Sequence, residues 1–153
     1  MSALLDPDSL FIPLTIPNSE TMRTLIDSGS SHCFVDSSFV SNHEITTTTI
    51  PSVRLCLFDG ACNSVITQTA ELPISFPNGT EFNLTFYVTP LDSSCSAVLG
   101  FNWLYKYNPL IDWFMGTITF HTTEQRGQAL LTSSGEAATW LLYCTPRTSS
   151  TTV

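Results

Sequence analysis

The stretch Thr24-Leu25-Ile26-Asp27-Ser28-Gly29-Ser30-Ser31 places a carboxylate directly behind an apolar run and follows it at once with a hydroxyl and a glycine. A carboxylate at the end of a core-bound strand must be solvated, paired or used, because an unpaired buried charge costs on the order of several kcal/mol. Gly29 permits a sharp turn that exposes backbone amides. Ser28 offers a short hydroxyl that can lock such a turn by bonding to nearby backbone. Together they would hold Asp27 rigidly at a point set by the fold, as an acid/base group requires. The plain alternative is an ordinary Asp-Ser-Gly turn, a common tripeptide.

The other acids fit this chemistry less well. Asp36-Ser37-Ser38 and Asp92-Ser93-Ser94 have the hydroxyls without the glycine, and Asp59-Gly60 has the glycine without the hydroxyl. Asp112 precedes Trp113, with no glycine before Gly116. The five cysteines (Cys33, Cys56, Cys62, Cys95 and Cys144) are odd in number and form no CxxC pair. His32, His43 and His121 show no ligand spacing, so neither a metal site nor a cofactor is expected. The cysteines read as free, mostly buried thiols of a reducing compartment. Cys56 and Cys62 would face each other only across a three-residue loop, and a link between them is not expected.

The elements that must position Asp27 are short strands punctuated by turn residues. Leu10–Ile16 and Met22–Ile26 flank Pro17-Asn18-Ser19-Glu20, so Asp27 closes the second arm of a hairpin. Val53–Leu57 and Ser64–Thr69 flank Phe58-Asp59-Gly60-Ala61, whose Asp-Gly pair favours a tight hairpin turn. Leu72–Phe76 and Phe82–Val88 flank Pro77-Asn78-Gly79, and Phe82, Leu84, Phe86 and Val88 alternate as a half-buried strand does. Thr117–Phe120 is a final strand. Ser37 or Ser38 can cap a short helix over Phe39–His43, and Asn102 can begin another through Tyr107, stopped at Asn108-Pro109. The expected class is all-β, a small closed or sandwiched barrel with one or two short helices.

On these residues a resemblance can be stated. Leu25-Ile26-Asp27-Ser28-Gly29-Ser30 resembles the active-site signature of aspartic proteases. Ala97-Val98-Leu99-Gly100-Phe101-Asn102-Trp103-Leu104 resembles that family's second element, an apolar strand ending in glycine before a short helix. The continuation Tyr105-Lys106-Tyr107-Asn108-Pro109-Leu110-Ile111-Asp112-Trp113, then Thr117-Ile118-Thr119-Phe120, closely resembles the retropepsin-like proteases of Ty3/Gypsy-type retrotransposon polyproteins. The likeness runs from Phe11 to His121.

The resemblance implies a retropepsin-like acid-protease barrel that forms half of a homodimeric enzyme. Asp27 is then the catalytic carboxylate, Ser28 the hydroxyl that cross-braces two active-site loops, and Gly29 the residue that lets them approach. Phe58, Asp59, Gly60 and Ala61 become a substrate-binding flap. Val98, Leu99 and Gly100 become the structural apolar-Gly element, and Asp112 is structural. This hydrolysis needs two carboxylates sharing one proton. One fitting triplet per chain therefore implies a symmetric dimer with an Asp27 from each copy. A pepsin-like arrangement would need a second triplet and roughly twice the length. The expected function is an aspartic endopeptidase acting on a polypeptide, specifically a retroelement polyprotein. Two alternatives stand beside it. One is a catalytically inactive, retroelement-derived dimerisation or peptide-binding module; the other is an unrelated β-barrel with an accidental Asp-Ser-Gly turn. The aromatic residues Phe101, Trp103, Tyr105, Tyr107 and Trp113 read as core and helix-face packing.

Composition bounds the rest. A length of 153 residues suits about one domain. We expect the protease domain over 10–122, preceded by a segment 1–9. A Ser/Thr-rich extension over 123–153 follows it, partly disordered, with one apolar island at Trp140–Cys144 and a disordered tail from Thr145 to Val153. Charged residues make up 12% of the chain, against about 25% in an average soluble protein, while 42% are hydrophobic. The net charge of -8, from 13 acids and 5 bases, leaves no basic footprint for nucleic acid or an anionic membrane. No apolar run approaches the roughly 18 residues of a membrane span. The start MSALLDPDSLFIP lacks a basic region and carries Asp6, Pro7 and Asp8 where a signal core would continue, so a cytoplasmic location is expected. In that setting the sequons at Asn78-Gly79-Thr80 and Asn83-Leu84-Thr85 mark only exposed polar positions.

Overall fold

The structure, a computed structural model, describes residues 9–18, 20–57 and 59–121. Chain order is β1 (Phe11–Thr15), β2 (Thr21–Ile26), β3 (Phe34–Asp36), α1 (Ser37–Asn42), β4 (Thr48–Leu55), β5 (Ser64–Ser75), β6 (Glu81–Thr89), β7 (Ala97–Leu99), α2 (Phe101–Tyr107), β8 (Leu110–Asp112) and β9 (Thr117–Thr119). Strand alternation builds the core, because successive side chains of a strand point to opposite faces. Ile12 and Leu14 of β1, Met22, Thr24 and Ile26 of β2, and Leu84 and Phe86 of β6 are buried while residues between them stay accessible. Buried Thr24 satisfies its hydroxyl on the Met22 carbonyl at 3.2 Å.

Seven strands form one sheet in the order β1-β2-β7-β3-β6-β5-β4, and a further pairing of Thr15 with Ser75 joins β1 to β5. That pairing brings the sheet back on itself, giving the closed arrangement expected for a small barrel. The short apolar strand β7 lies between β2 and β3. It runs parallel to β2, with Leu25 opposite Val98 and Ile26 opposite Leu99, and antiparallel to β3. All three of its residues are buried. β8 and β9 pair separately, Ile111 opposite Ile118.

Several elements differ from the sequence reading. Ser64–Ser75 is one strand rather than two, despite Pro73. β4 pairs with β5 only up to Thr69 and β1 only at Ser75, so Pro73 sits where β5 has β6 as its sole neighbour and the missing N–H breaks no ladder bond. β4 begins earlier than expected and carries Pro51 inside a register shift between Thr49 and Val53. Asp36, not Ser37 or Ser38, caps α1: its side chain accepts from the Phe39 N–H at 3.2 Å. Asn108 ends α2 in the left-handed region, φ 41°, with its N–H donating to the Leu104 carbonyl.

Of the aromatic group only Trp103 is buried, stacked on Phe76 with ring centroids 5.5 Å apart. Phe101, Tyr105 and Trp113 are exposed rather than in the core, and Phe101 and Tyr105 meet one turn apart on α2 with ring centroids 6.0 Å apart. Among the described residues no helix is long and apolar enough to cross a membrane. Residues of the expected segments 1–9 and 123–153, other than Ser9, lie outside the described residues, as does Cys144.

Candidate active site

Asp27 follows the last residue of β2 directly, and β7 anchors it there. The Asp27 N–H donates to the Leu99 carbonyl at 3.0 Å, one step beyond the parallel ladder. One carboxylate oxygen, Oδ1, accepts from the Gly29 N–H at 2.8 Å, and the Asp27 carbonyl accepts from the Ser30 N–H at 3.2 Å. These three bonds hold the loop in a tight turn with the carboxylate partly exposed. A Cβ on Gly29 would come within 3.1 Å of Asp27 Oδ1, so a side chain there would press on the carboxylate it supports. Ser28 and Gly29 are both exposed at the apex.

The second half of the support comes from Gly100. The loop through Ser30, Ser31 and His32 packs directly on it and caps the start of α2: Phe101 N–H donates to the Ser30 carbonyl at 2.7 Å and Asn102 N–H to the Ser31 carbonyl at 3.3 Å. A Cβ at Gly100 would overlap the His32 carbonyl oxygen and lie 2.7 Å from the Ser30 carbonyl oxygen. The backbone of Gly100 is extended, so its need for glycine is one of contact, not of dihedral angle. The sequence reading paired Asp27-Ser28-Gly29 with Val98-Leu99-Gly100 as two elements, and the structure brings them into contact. It missed that the Ser30 and Ser31 carbonyls serve as acceptors for the helix; a glycine placed immediately before a helix start is the signal that pointed there.

The remaining aspartates flagged by sequence are engaged elsewhere. Asp36 caps α1 through Oδ2 and accepts from the Leu91 N–H through Oδ1 at 2.9 Å. Asp92 accepts from the Ser94 hydroxyl and from the Ser94 N–H, the latter at 2.9 Å, and these two bonds, the hydroxyl's first, hold its carboxyl below its ordinary value. Asp112 accepts from the Met115 N–H at 2.9 Å, closing the β8–β9 turn. Among the described residues, no cluster of His, Cys, Asp and Glu could hold a metal. The larger cavity, about 620 Å³, is lined by Ser9 to Phe11 and Trp113 to Gly116, and a smaller one of about 210 Å³ lies by Cys33 and Trp103. Neither includes Asp27. Asp27 itself is half-buried.

The expected flap lies at the far end of the β4–β5 hairpin; Phe58 is outside the described residues. Asp59 Oδ1 accepts from the Ala61 N–H at 2.8 Å, Gly60 N–H donates to the Leu57 carbonyl at 2.9 Å, and Gly60 has φ 83°. Leu57 N–H donates to the Ala61 carbonyl at 2.9 Å, which closes a loop of three residues rather than the two of a tight Asp-Gly turn. The three-residue condition for the cysteines is therefore met, and Cys56 and Cys62 form a disulfide with their Cα atoms 4.1 Å apart. The expectation of free thiols is corrected for this pair. Cys33 is buried and Cys95 half-buried, both unlinked, and burial pushes both thiols up from 9.0.

With the geometry in view, the comparisons are informative. Residues 23–129 match the family model described as the PEG10/RTL1 protease domain. The chain belongs to the PEG10/RTL1 protease-domain family. That family is retropepsin-like and of Ty3/Gypsy derivation, which excludes an unrelated barrel with a chance Asp-Ser-Gly turn. The fold is similar to the retroviral protease-like domain of Ddi1 from Leishmania major, 19% identical over 73% of this chain and 86% of that one, with TM-score 0.52. It is also similar to the EIAV protease complexed with the inhibitor HBY-793, 11% identical over 71% of this chain and 94% of that one, with TM-score 0.50. At these identities the likeness concerns the fold. A mostly-β retropepsin-like domain with two short helices among its described residues is what the sequence predicted.

Proposed function

We propose that this chain is one half of an aspartic endopeptidase, completed when a second copy brings its own Asp27 alongside the first. The observation that carries this reading is the fixing of Asp27 at the β2 end, by the Leu99 carbonyl and the Gly29 amide, with the residue half-buried rather than enclosed. Two such carboxylates a few ångströms apart cannot both ionise, so one stays protonated. The ionised one takes a proton from a water held between them, and that water attacks the scissile carbonyl carbon. The protonated one donates to the carbonyl oxygen, giving a tetrahedral diol with no covalent adduct. Ser28 acts as the brace between the two loops and Gly29 as the point of close approach. Residues 58–61 close over an extended polypeptide, adding strand-like main-chain hydrogen bonds. The substrate is a retroelement-type polyprotein, the catalytic unit spans 10–122, and the compartment is the cytoplasm.

The test is cleavage of unstructured polypeptide by the purified chain across acid to neutral pH. Activity should lean to acid, be blocked by a statine-type diol mimic, and vanish in Asp27→Asn. Cleavage that survives that substitution would defeat the proposal. A well-folded dimer that never cleaves would establish the inactive-module alternative instead.

A further inference from the structure

The flap hairpin contains a register mismatch. Along the upper ladder of β4 and β5, Val53 faces Ile66, Arg54 faces Val65 and Leu55 faces Ser64. Continued without interruption, that ladder would set Cys56 opposite Asn63 and Leu57 opposite Cys62. Asp59-Gly60 would remain as a two-residue loop, the pair most favoured for a tight hairpin turn. The tip instead pairs Leu57 with Ala61 and links Cys56 to Cys62, one residue out of step, with Asn63 left over. The β5–β6 hairpin provides an internal control. Its loop is built alike: Phe76 N–H donates to the Thr80 carbonyl at 2.8 Å, Asn78 Oδ1 accepts from Thr80 N–H at 3.1 Å, and Gly79 has φ 84°. There the loop continues the strand register without a surplus residue, Ser75 facing Glu81. The offset coincides with the disulfide.

We propose that the Cys56–Cys62 pair is a redox-operated register lock on this hairpin. The oxidised form holds the three-residue loop, and the reduced form slips by one residue to the continuous ladder with Asp59-Gly60 at the turn. Reduction removes the only covalent constraint on the offset. The slip gives up the bond from Ala61 N–H to Asp59 Oδ1 and moves Asp59 into the left-handed region, which aspartate tolerates better than most residues. In return it extends the ladder and absorbs Asn63. A one-residue slip exchanges the faces on which Ala61 and Cys62 project, so the surface at the tip changes.

Both cysteines are exposed and can meet a small reagent. Closure runs by exchange with a low-molecular-weight disulfide such as glutathione disulfide. One cysteine thiolate attacks a sulfur of the reagent and expels one thiolate. The second cysteine then displaces the bound half, forming the protein S–S bond and releasing a second thiol, and the two cysteine protons go to solvent or to the released thiolates. Reduction by a thiol is the reverse. Cys33 and Cys95 are the poorer nucleophiles, since burial disfavours their thiolates. In a reducing cytoplasm the resting flap is the slipped one. Any effect on substrate rests on the protease reading; the register lock does not.

The experiment is NMR of isotope-labelled full chain, oxidised with glutathione disulfide and then reduced with a dithiol. Oxidised protein should show cross-strand contacts between Leu57 and Ala61 and no labelling of Cys56 or Cys62 by an alkylating agent. Reduction should abolish the Leu57–Ala61 contact, produce contacts of Leu57 with Cys62 and of Cys56 with Asn63, and open both thiols to alkylation. C56S/C62S should give the slipped pattern whether or not oxidant is present. A reduced chain that keeps Leu57 against Ala61, or cysteines that stay alkylatable under oxidant in the folded protein, overturns the proposal. Neither readout uses a substrate. A chain that slips but never cleaves peptide sinks the protease reading alone, and one that cleaves with an unchanging register sinks only this one.

Discussion

At Gly100 a single missing methyl group decides whether the site forms. Its Cβ would fall on the His32 carbonyl, and a carbonyl fixed in a loop cannot swing away as a side chain tip can. We expect Gly100→Ala to cost about 3 kcal/mol, the upper range for overpacking. The urea midpoint should drop accordingly, and any cleavage should be lost with it, because the same loop carries Asp27. Equal midpoints for the variant and the parent would show that the 30–32 loop is not held as described. Asp27 itself has the opposite character. Its neighbours were readable in sequence as Asp-Ser-Gly, but its anchoring by the Leu99 carbonyl was not, since that bond joins residues far apart in the chain.

At the scale of elements, α1 shows how one carboxylate can tie together distant pieces. Asp36 caps the helix at Phe39 N–H and also accepts from Leu91 N–H, in the segment between β6 and β7. Asp36→Ala removes a cap worth about 1 kcal/mol and strands a second donor at a further cost of about 1 kcal/mol or more. A loss of about 2 kcal/mol in chemical denaturation is expected, with Asp36→Asn recovering part of it. An alanine variant within a few tenths of a kcal/mol of the parent would mean the Leu91 link contributes nothing. The expected cap, Ser37 or Ser38, was one or two residues off, because three successive residues of capping type leave local sequence unable to choose among them. The strands were more legible. The alternation through Phe82, Leu84, Phe86 and Val88 marked β6 correctly, whereas Ser64–Thr69 and Leu72–Phe76, read as two strands, are one, with Pro73 inside it. Whether a proline interrupts a strand depends on which edge has a neighbour, and that is not a local property.

For the molecule as a whole, the consequence of the proposed shared site is a dependence on concentration. If each copy supplies one Asp27, specific activity should fall on dilution through the dimer dissociation constant. Mixing parent chains with an excess of Asp27→Asn chains should suppress activity by more than dilution explains, because mixed dimers hold only one competent carboxylate. Sedimentation showing a fully active monomer would contradict the mechanism. The membership in the PEG10/RTL1 protease-domain family and the retropepsin-like fold stand apart from it.

Local sequence pointed to Asp27 as the candidate carboxylate and marked where the chain doubles back and which faces of the longer strands turn inward, since these depend on residue type and on the two-residue period of a strand. The tertiary structure decided what depends on partners distant in the chain. It inserted β7 between β2 and β3, seated the Ser30–His32 loop against Gly100, and set the tip of the β4–β5 hairpin one residue out of step, bringing Cys56 to Cys62. Each of these is a matter of register or close approach between segments, and a short window of sequence carries no record of the segment that will lie beside it.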